Sequence, residues 1–208
     1  MDAQHWDEMY RSRDQIFSGN PNPALVTEIT DLPPGQALDV GCGEGADAVW
    51  LAQRGWQVTA VDISEIALHR AAATAATAAT ATTATSINGR VAWARADLTT
   101  TPPPADAFDL VSIHYFPLHR QPGHTALHGL LNAVGPGGTL LFATHARADL
   151  TSREDFDAAG YYQPDDIAQL LDPTAWNVLT NETRPRATPT PAGTHHTQDA
   201  VLRAVRLS

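Results

Sequence analysis

Lysine is absent from this chain of 208 residues, so all 13 of its basic residues are arginines. Acidic residues outnumber them at 23, which gives a formal net charge of -10 at pH 7. A surface of that sign repels phosphate backbones, and no basic run interrupts it. The sequence therefore argues against nucleic acid as a partner.

Cysteine and long apolar runs are equally scarce. Cys42 is the single cysteine, which excludes an internal disulfide framework and is typical of a reducing compartment. No apolar run approaches the roughly 20 residues that cross a bilayer, and no charged-then-apolar signal opens the chain. We therefore predict a cytoplasmic protein without a membrane partner, and the sequence indicates nothing about its oligomeric state.

A short stretch near residue 40 organises the rest of the chain. Leu38–Val40 reads as a strand that enters the glycine turn, Gly41–Gly45. Helical spacing follows over Ala46–Ala52, and a second apolar run, Val58–Val61, ends at Asp62. Strand, glycine turn, helix, strand and terminal acid form one βαβ unit, the half-fold that binds nucleoside-containing cofactors.

The remaining chain continues the alternation of strands and helices. Further strands are predicted at Val91–Ala94, Phe108–His114, Thr139–Thr144, Trp176–Thr183 and Ala200–Arg206, and further helices at Pro23–Ile29, Ser64–His69, Thr125–Ala133 and Tyr162–Leu171. This order predicts an α/β fold, a Rossmann-like seven-stranded, mostly parallel sheet with helices on both faces and a C-terminal antiparallel hairpin.

We predict one domain over residues 1–208. The N-terminal lid, residues 1–35, is helical and precedes the core at 36–208. Residues 71–88 are an Ala/Thr-rich insertion without a broad apolar stripe. We expect the helix that begins at Ser64 to continue into this tract and to fray into a surface loop near residues 82–88, and we expect the tract to have no function of its own.

The glycine turn alone leaves two cofactors open. Gly41-x-Gly43-x-x-Ala46 also satisfies the dinucleotide fingerprint, so an NAD(P)-dependent oxidoreductase is one hypothesis. Asp39 before the turn and Glu44 within it would repel a pyrophosphate, by on the order of a kcal/mol each. A cofactor with an ammonium and a sulfonium but no phosphate finds Asp39 favourable. That description fits S-adenosylmethionine.

Other polar residues are predicted around the same crevice. In such sheets ligands bind beyond the carboxyl ends of the strands, at the switch point between the first and the fourth. Asp62, 21 residues after the first glycine, is suitably placed for both ribose hydroxyls, and Asp97 for the adenine amino group. Leu98 and Ile63 are expected to form apolar walls, and His114 closes the fourth strand beside them.

At these residues the sequence resembles the class I S-adenosylmethionine-dependent methyltransferases. The motifs that carry the resemblance are Leu38–Gly45, Val61–Ser64, Ala96–Leu98, Phe108–Val111 and Gly135–Leu141. Within the class, Cys42–Ala52, Gly55–Val58, Trp6–Tyr10 and Asn20–Pro23 look like the small thiopurine- and tellurite-type methyltransferases. The resemblance implies cofactor contacts but no substrate. The predicted contacts are Asp39, Gly41, Cys42, Gly43, Asp62, Ile63, Ala96, Asp97, Leu98 and His114.

Departures from the class bear on the acceptor. The fourth strand ends in His114-Tyr115-Phe116-Pro117, which is not the signature of enzymes that methylate amide or adenine nitrogens. No Asp/Asn cluster supports a catechol-type metal site, and the acidic surface disfavours RNA. A small-molecule acceptor remains, with a thiol or related soft nucleophile first and an O- or N-acceptor second. A non-catalytic cofactor-binding module is a further hypothesis.

Methyl transfer mainly requires that acceptor and methyl carbon be aligned. A thiol must also lose its proton, which a histidine can assist. His114 and His145 end the fourth and fifth strands and are candidate catalytic residues, although His114 could equally hydrogen-bond the cofactor. The remaining predicted substrate or lid residues are Tyr10, Phe17, Tyr115 and Phe116.

Three other features have plainer interpretations. His124 and His128 stand four residues apart but lack further ligands, so we predict a solvated helix face and no metal site. His195 and His196 are interpreted as loop polarity, with a cover over the acceptor pocket as the alternative. Cys42 is interpreted as a small residue that lets the backbone approach the cofactor, and not as a nucleophile.

Overall fold

The computed structural model describes residues 2–81, 87, 89–151, 157–186 and 196–207, with the backbone alone at 79–81 and 151. The strands are β1 Gln36–Val40, β2 Gln57–Asp62, β3 Val91–Arg95, β4 Phe108–His114, β5 Val134–His145, β6 Trp176–Pro185 and β7 Gln198–Arg206. The helices are α1 Ala3–Arg11, α2 Pro23–Ile29, α3 Ala46–Gln53, α4 Glu65–Ala81, α5 Thr125–Ala133, α6 Arg147–Thr151 and α7 Pro164–Leu170.

The strands form one sheet in the order β3-β2-β1-β4-β5-β7-β6. The first five run parallel, and β7 lies antiparallel between β5 and β6. The predicted seven-stranded, mostly parallel sheet with a C-terminal hairpin is confirmed. The chain builds outward from β1 on one side and from β4 on the other, so the switch point lies between these two strands.

Both faces of the sheet are covered. Because successive side chains of a strand point to opposite faces, Val111 and Ile113 of β4 join one core cluster while Leu110 joins the other. Phe142 and Leu141 of β5 divide in the same way. Residues of α5 and α7 complete the first cluster, and residues of α2, α3 and α4 complete the second. The predicted helices on both faces are confirmed.

Two elements begin at residues other than those predicted, because local pairing and capping interactions fix their starts. β5 begins at Val134 instead of Thr139, because Val134 already pairs with Phe108 of β4 and a register shift accommodates the glycines that follow it. α7 begins at Pro164 instead of Tyr162, since a capping box and a proline in the first turn fix its start. The short α6 was not predicted.

The first part of the Ala/Thr-rich tract is a packed helix. Ala71 is fully buried, and Ala75 and Ala78 pack against the same core cluster at helical spacing. A Cβ placed on Gly45 would lie 2.8 Å from the Cβ of Ala71. The predicted helix is therefore present over 71–78, and methyl groups suffice there because the glycine turn comes so close. That the tract has no function of its own stays a prediction. The predicted fraying at 82–88 falls largely outside the described residues.

Within the described ranges, no helix combines the length and the apolar character that crossing a bilayer would require.

A buried carboxylate links α2 to β6. Glu28 accepts from Arg184 at 2.7 Å and from the hydroxyl of Thr180 at 3.2 Å.

Candidate cofactor and acceptor site

The glycine turn requires its glycines. Gly41, Gly43 and Gly45 have φ of 68°, 53° and 84°, a left-handed backbone that L side chains rarely adopt. A Cβ on Gly41 would lie 2.7 Å from the ring of Phe116. The turn therefore has a fixed shape, and at Gly41 it packs directly against the ring of Phe116.

Asp62 ends β2 and fastens the turn. Its Oδ2 accepts from the backbone N–H of Gly43 at 2.9 Å, and its Oδ1 from that of Ser64 at 2.8 Å. Burial raises the pKa of Asp62, and these two hydrogen bonds act in the opposite direction. Each carboxylate oxygen retains a further acceptor position. Asp62 can therefore accept from two ribose hydroxyls while it holds the turn.

Asp39 is a buried acid without full compensation. It is 3% exposed, and its Oδ2 has no hydrogen-bond partner among the described residues. Burial raises the pKa of Asp39, and the neighbouring carboxylates of Asp47 and Asp62 raise it further. A cationic ligand group at this oxygen would satisfy it, whereas a phosphate would not. The residues at the turn therefore fit S-adenosylmethionine better than a dinucleotide.

Two more unsatisfied groups lie on the same face of the sheet. Ser112 is the register partner of Asp39 on β4, and His114 follows two residues later. The Ser112 hydroxyl and both ring nitrogens of His114 are buried without a hydrogen-bond partner among the described residues. Burial lowers the pKa of His114, although Asp47 and Asp199 oppose that shift. Because buried polar groups normally have partners, this face of the crevice is suited to a polar ligand.

The residues predicted to surround adenine lie beside Asp62. The N–H of Ala96 donates to the backbone carbonyl of Asp62 at 3.2 Å, which joins the ends of β2 and β3. Asp97 accepts from the N–H and hydroxyl of Thr99 and so shapes the following loop. Ile63 is half-buried and Leu98 is buried in the core. Their contacts with an adenine remain predictions.

Glu44 turns toward the N-terminal lid. Its carboxylate accepts from the backbone N–H groups of Ile16 at 3.2 Å and Phe17 at 2.9 Å. Arg70 of α4 pairs with it at 3.0 Å. The predicted repulsion between Glu44 and a pyrophosphate assumed an uncompensated charge, and that assumption is wrong. The discrimination against a dinucleotide therefore rests on Asp39.

The lid lies over the glycine turn. Arg70 also donates to the backbone carbonyls of Tyr10 at 2.6 Å and Arg13 at 2.7 Å. The Tyr10 hydroxyl would be 3.0 Å from a Cβ on Gly43, and burial raises the pKa of this phenol. Phe17 meets the Tyr10 ring edge-on and stays 53% exposed. Arg70 and Glu44 together therefore form the polar fastening of the lid.

Replacing Arg70 with methionine should weaken cofactor binding by about tenfold, the loss expected for one to two charge-assisted hydrogen bonds. The lid would lose its contacts to α4, so trypsin should also cleave faster after Arg11 and Arg13. Titration calorimetry with S-adenosylhomocysteine and timed proteolysis measure the two effects. Arg54→Met is the control, because Arg54 stacks on Trp50 at the far end of α3. Unchanged affinity and cleavage in Arg70→Met would contradict the fastening.

Five residues lie together where the acceptor is expected, at the ends of β4 and β5, the start of β7 and just after β6. We call them the acceptor-side cluster: Tyr115, His145, Arg186, His196 and Asp199. Tyr115 has a left-handed φ of 53° and donates its hydroxyl to Asp199 at 2.9 Å. Burial and the carboxylate of Asp199 raise the pKa of Tyr115. The rings of Tyr115 and His145 lie 4.6 Å apart, and those of His145 and His196 stack at 3.8 Å.

Sequence reasoning missed Asp199 and Arg186. Asp199 is the antiparallel register partner of His145, and the Arg186 guanidinium lies 5.3 Å from the Tyr115 ring. One available signal was the acid directly before the apolar run of β7, which a hairpin register would place opposite the end of β5. His196, interpreted as loop polarity, instead joins the cluster, while His195 lies outside the described residues.

The other candidates have structural surroundings. His124 hydrogen-bonds the hydroxyl of Tyr162, so the predicted solvated face applies only to His128. No group of three or more metal-ligating side chains occurs in the described part of the chain. Cys42 is buried, and burial with the carboxylate of Asp39 raises the pKa of its thiol. That is the environment of a packed thiol and not of a nucleophile.

Comparison with known proteins finds methyltransferases among the similar chains. A methyltransferase domain model matches residues 37–138. An uncharacterized methyltransferase of Mycobacterium tuberculosis (strain ATCC 25618 / H37Rv) is 36% identical over 138 residues, 66% of this chain. The chain spans 64% of the length of that relative.

Two relatives carry names that specify sulfur acceptors. The probable thiol methyltransferase 2 of Arabidopsis thaliana is 31% identical over 127 residues, 59% of this chain and 53% of that protein. A thiopurine S-methyltransferase of Gluconobacter oxydans (strain 621H) is 39% identical over 72 residues, 33% of each chain.

A solved structure has the same fold. The N-methyltransferase NodS of Bradyrhizobium japonicum WM9, in complex with S-adenosylhomocysteine, superposes with a TM-score of 0.70 at 18% identity and 100% coverage of both chains. The predicted fold is confirmed, and the chain contains a methyltransferase domain over residues 37–138.

Proposed function

We propose that this protein transfers the methyl group of S-adenosylmethionine to a small molecule, with a thiol as the preferred acceptor. The observation that carries the proposal is the buried oxygen of Asp39, which lacks a hydrogen-bond partner among the described residues. It lies where the cofactor's ammonium would be expected, beside a turn that Asp62 already fixes. A phosphate-bearing cofactor would leave that oxygen unsatisfied.

Each part of the cofactor has residues suited to it. Asp39 would hold the ammonium, Asp62 the ribose, and Asp97 the adenine amino group. The backbone of the glycine turn would contact the amino-acid portion, and His114 would reach it from the end of β4. The apolar walls would come from Ile63, Ala96, Leu98 and the packed Cys42.

When bound, S-adenosylmethionine supplies a methyl carbon on a positively charged sulfur, which an acceptor displaces in line. The protein's task is to align the acceptor and exclude water. Tyr10 and Phe17 would close the crevice from the lid. Tyr115 and Phe116 would flank the acceptor, with His145 at the end of β5.

Several observations favour a thiol over the alternatives. The two relatives named for sulfur acceptors are similar to this chain over 127 and 72 residues. A thiol ionises closer to neutral pH than an alcohol, so it asks less of the site. An O- or N-acceptor is the second candidate. An RNA acceptor is not expected at a net charge of -10.

Titration calorimetry with S-adenosylhomocysteine and with NAD tests the cofactor. We expect S-adenosylhomocysteine to bind and NAD not to bind, and the reverse result would establish an oxidoreductase instead. A screen of thiols, phenols and amines with S-adenosylmethionine, read by mass spectrometry, then tests the acceptor. Binding without any methylated product would favour a non-catalytic module.

A further inference from the structure

One contact in the acceptor-side cluster defines the protonation state of His145. Arg186 follows β6 and reaches the ends of β4 and β5, with its side chain 16% exposed. Its Nη1 lies 3.2 Å from Nδ1 of His145. The guanidinium has only donors and stays protonated at all relevant pH values. Nδ1 of His145 must therefore accept this hydrogen bond.

From this contact, and on the basis of the proposed function, we infer that Arg186 holds His145 neutral with its proton on Nε2. The acceptor-side cluster then binds a thiol acceptor as its thiolate and does not deprotonate it through a histidine base. Arg186 is a positioning residue in this scheme, because it acts through His145.

A proton on Nδ1 of His145 is less favourable, because its hydrogen-bond partner would lie farther away. Were His145 protonated at Nδ1, Asp199 would be its natural partner, but that oxygen is 4.0 Å away. The same Oδ1 of Asp199 already accepts from the Tyr115 hydroxyl at 2.9 Å. The guanidinium contact is shorter by most of an ångström and leaves no room for an Nδ1 proton.

Several of the described residues place charged or titratable groups close to the His145 ring or to the segment that stacks on it. Tyr115 faces it from the end of β4, Asp199 from β7 and Arg186 from beyond β6. His196 stacks on its ring, and Asp149 of α6 lies behind that segment, accepting from the N–H groups of Thr197 and Gln198. Arg186 makes the nearest of these charged contacts, and a second positive charge on His145 would lie against it.

The neutral state of His145 determines which form of the acceptor binds. A histidine with Nδ1 occupied and Nε2 protonated has no lone pair with which to take a proton. Its Nε2–H can donate a hydrogen bond, and the guanidinium of Arg186 beside it carries a fixed positive charge. Both groups favour an acceptor that binds as an anion. A thiol near such groups releases its proton to solvent on binding and keeps the electron pair on sulfur. An alcohol, which ionises far less readily, would be excluded as an acceptor.

The tautomer can be measured without any methyl transfer. Long-range ¹H–¹⁵N correlation spectra of labelled protein should show the Nε2–H tautomer at His145 near pH 7.5. In Arg186→Met the fixed tautomer should be lost to a mixture. Arg184→Gln is the matched control, because Arg184 lies two residues away and pairs with Glu28. An Nδ1–H signal in the unsubstituted protein would overturn the inference.

The pH dependence of kcat with a thiol acceptor gives the second readout. The acid limb reports ionisation in the bound complex. Arg186→Met should move it upward by about one pH unit, since it removes a charge near the sulfur, whereas Arg184→Gln should leave it in place. His145→Gln keeps an N–H donor and should retain the limb with kcat within about tenfold. A loss of 10²–10⁴ in His145→Gln would indicate a general base and overturn the inference. If no thiol is methylated, the proposed function fails, while the tautomer measurement still decides this point.

Discussion

Asp62→Ala should lower the affinity for S-adenosylhomocysteine by at least about a hundredfold, the loss of two hydrogen bonds to a charged group. The carboxylate is expected to accept from the ribose, and it also accepts from the N–H groups of Gly43 and Ser64. Its removal therefore costs ligand contacts and loosens the turn at once. Titration calorimetry on the folded variant measures the loss.

Two variants separate these effects. Asp62→Asn keeps one carbonyl oxygen for the turn and should bind with intermediate affinity. Asp109→Ala is the matched control, because Asp109 also accepts a backbone N–H, from Gln36 at 2.7 Å, but at the opposite end of β1. Asp109→Ala should bind as tightly as the unsubstituted protein. Unchanged affinity in a folded Asp62→Ala would remove the ribose assignment.

Asp39→Asn should stabilise the free protein and weaken its binding of the cofactor. Burial raises the pKa of Asp39, so the folded state retains a proton that the unfolded state has released. The stability of the free protein therefore falls as pH rises from about 4, the unfolded value, until the raised folded value is passed. The amide removes this decline, a gain of about 1–2 kcal/mol at neutral pH. It also removes the charge for the ammonium, which should cost tenfold or more in affinity.

Thermal unfolding between pH 4 and 8, with and without S-adenosylhomocysteine, measures both changes. The Tm of Asp39→Asn should exceed that of the unsubstituted protein without ligand, and saturating ligand should raise it less. Ser112→Ala is the control, because its buried hydroxyl faces the same region without a charge. A lower Tm of free Asp39→Asn, or unaltered affinity, would contradict a role for Asp39 as the partner of a cation.

The cofactor half of the candidate site could be predicted because its information is local. The positions of Gly41, Gly43 and Asp62 follow from a strand, a turn and a strand within about 25 residues, and the switch point follows from the order of the elements. The acceptor half depends on the antiparallel register that places Asp199 opposite His145. No local pattern encodes that register, so Arg186 and Asp199 were missed.

Side-chain partners far apart in sequence were also unreadable. Glu44 was expected to repel a phosphate, but Arg70, 26 residues later in α4, pairs with its carboxylate. The packing of the alanine tract was not predicted for a related reason. An amphipathic pattern is recognised from large apolar side chains, which this tract lacks. Ala71 and Ala75 pack by being small, at a helix that approaches the glycine turn closely.

The hydrogen bonds that hold the predicted lid on the glycine turn would affect how fast the cofactor binds and dissociates. Glu44, Arg70 and the backbone groups between Tyr10 and Phe17 are joined by charge-assisted hydrogen bonds, while the exposed ring of Phe17 contributes little burial. Opening such a closure uncovers the buried ring of Tyr10 and exchanges ion pairs for hydrated ions. We therefore expect the exchange rate of the cofactor to rise with salt concentration, so that ionic strength limits how long each cofactor molecule is retained.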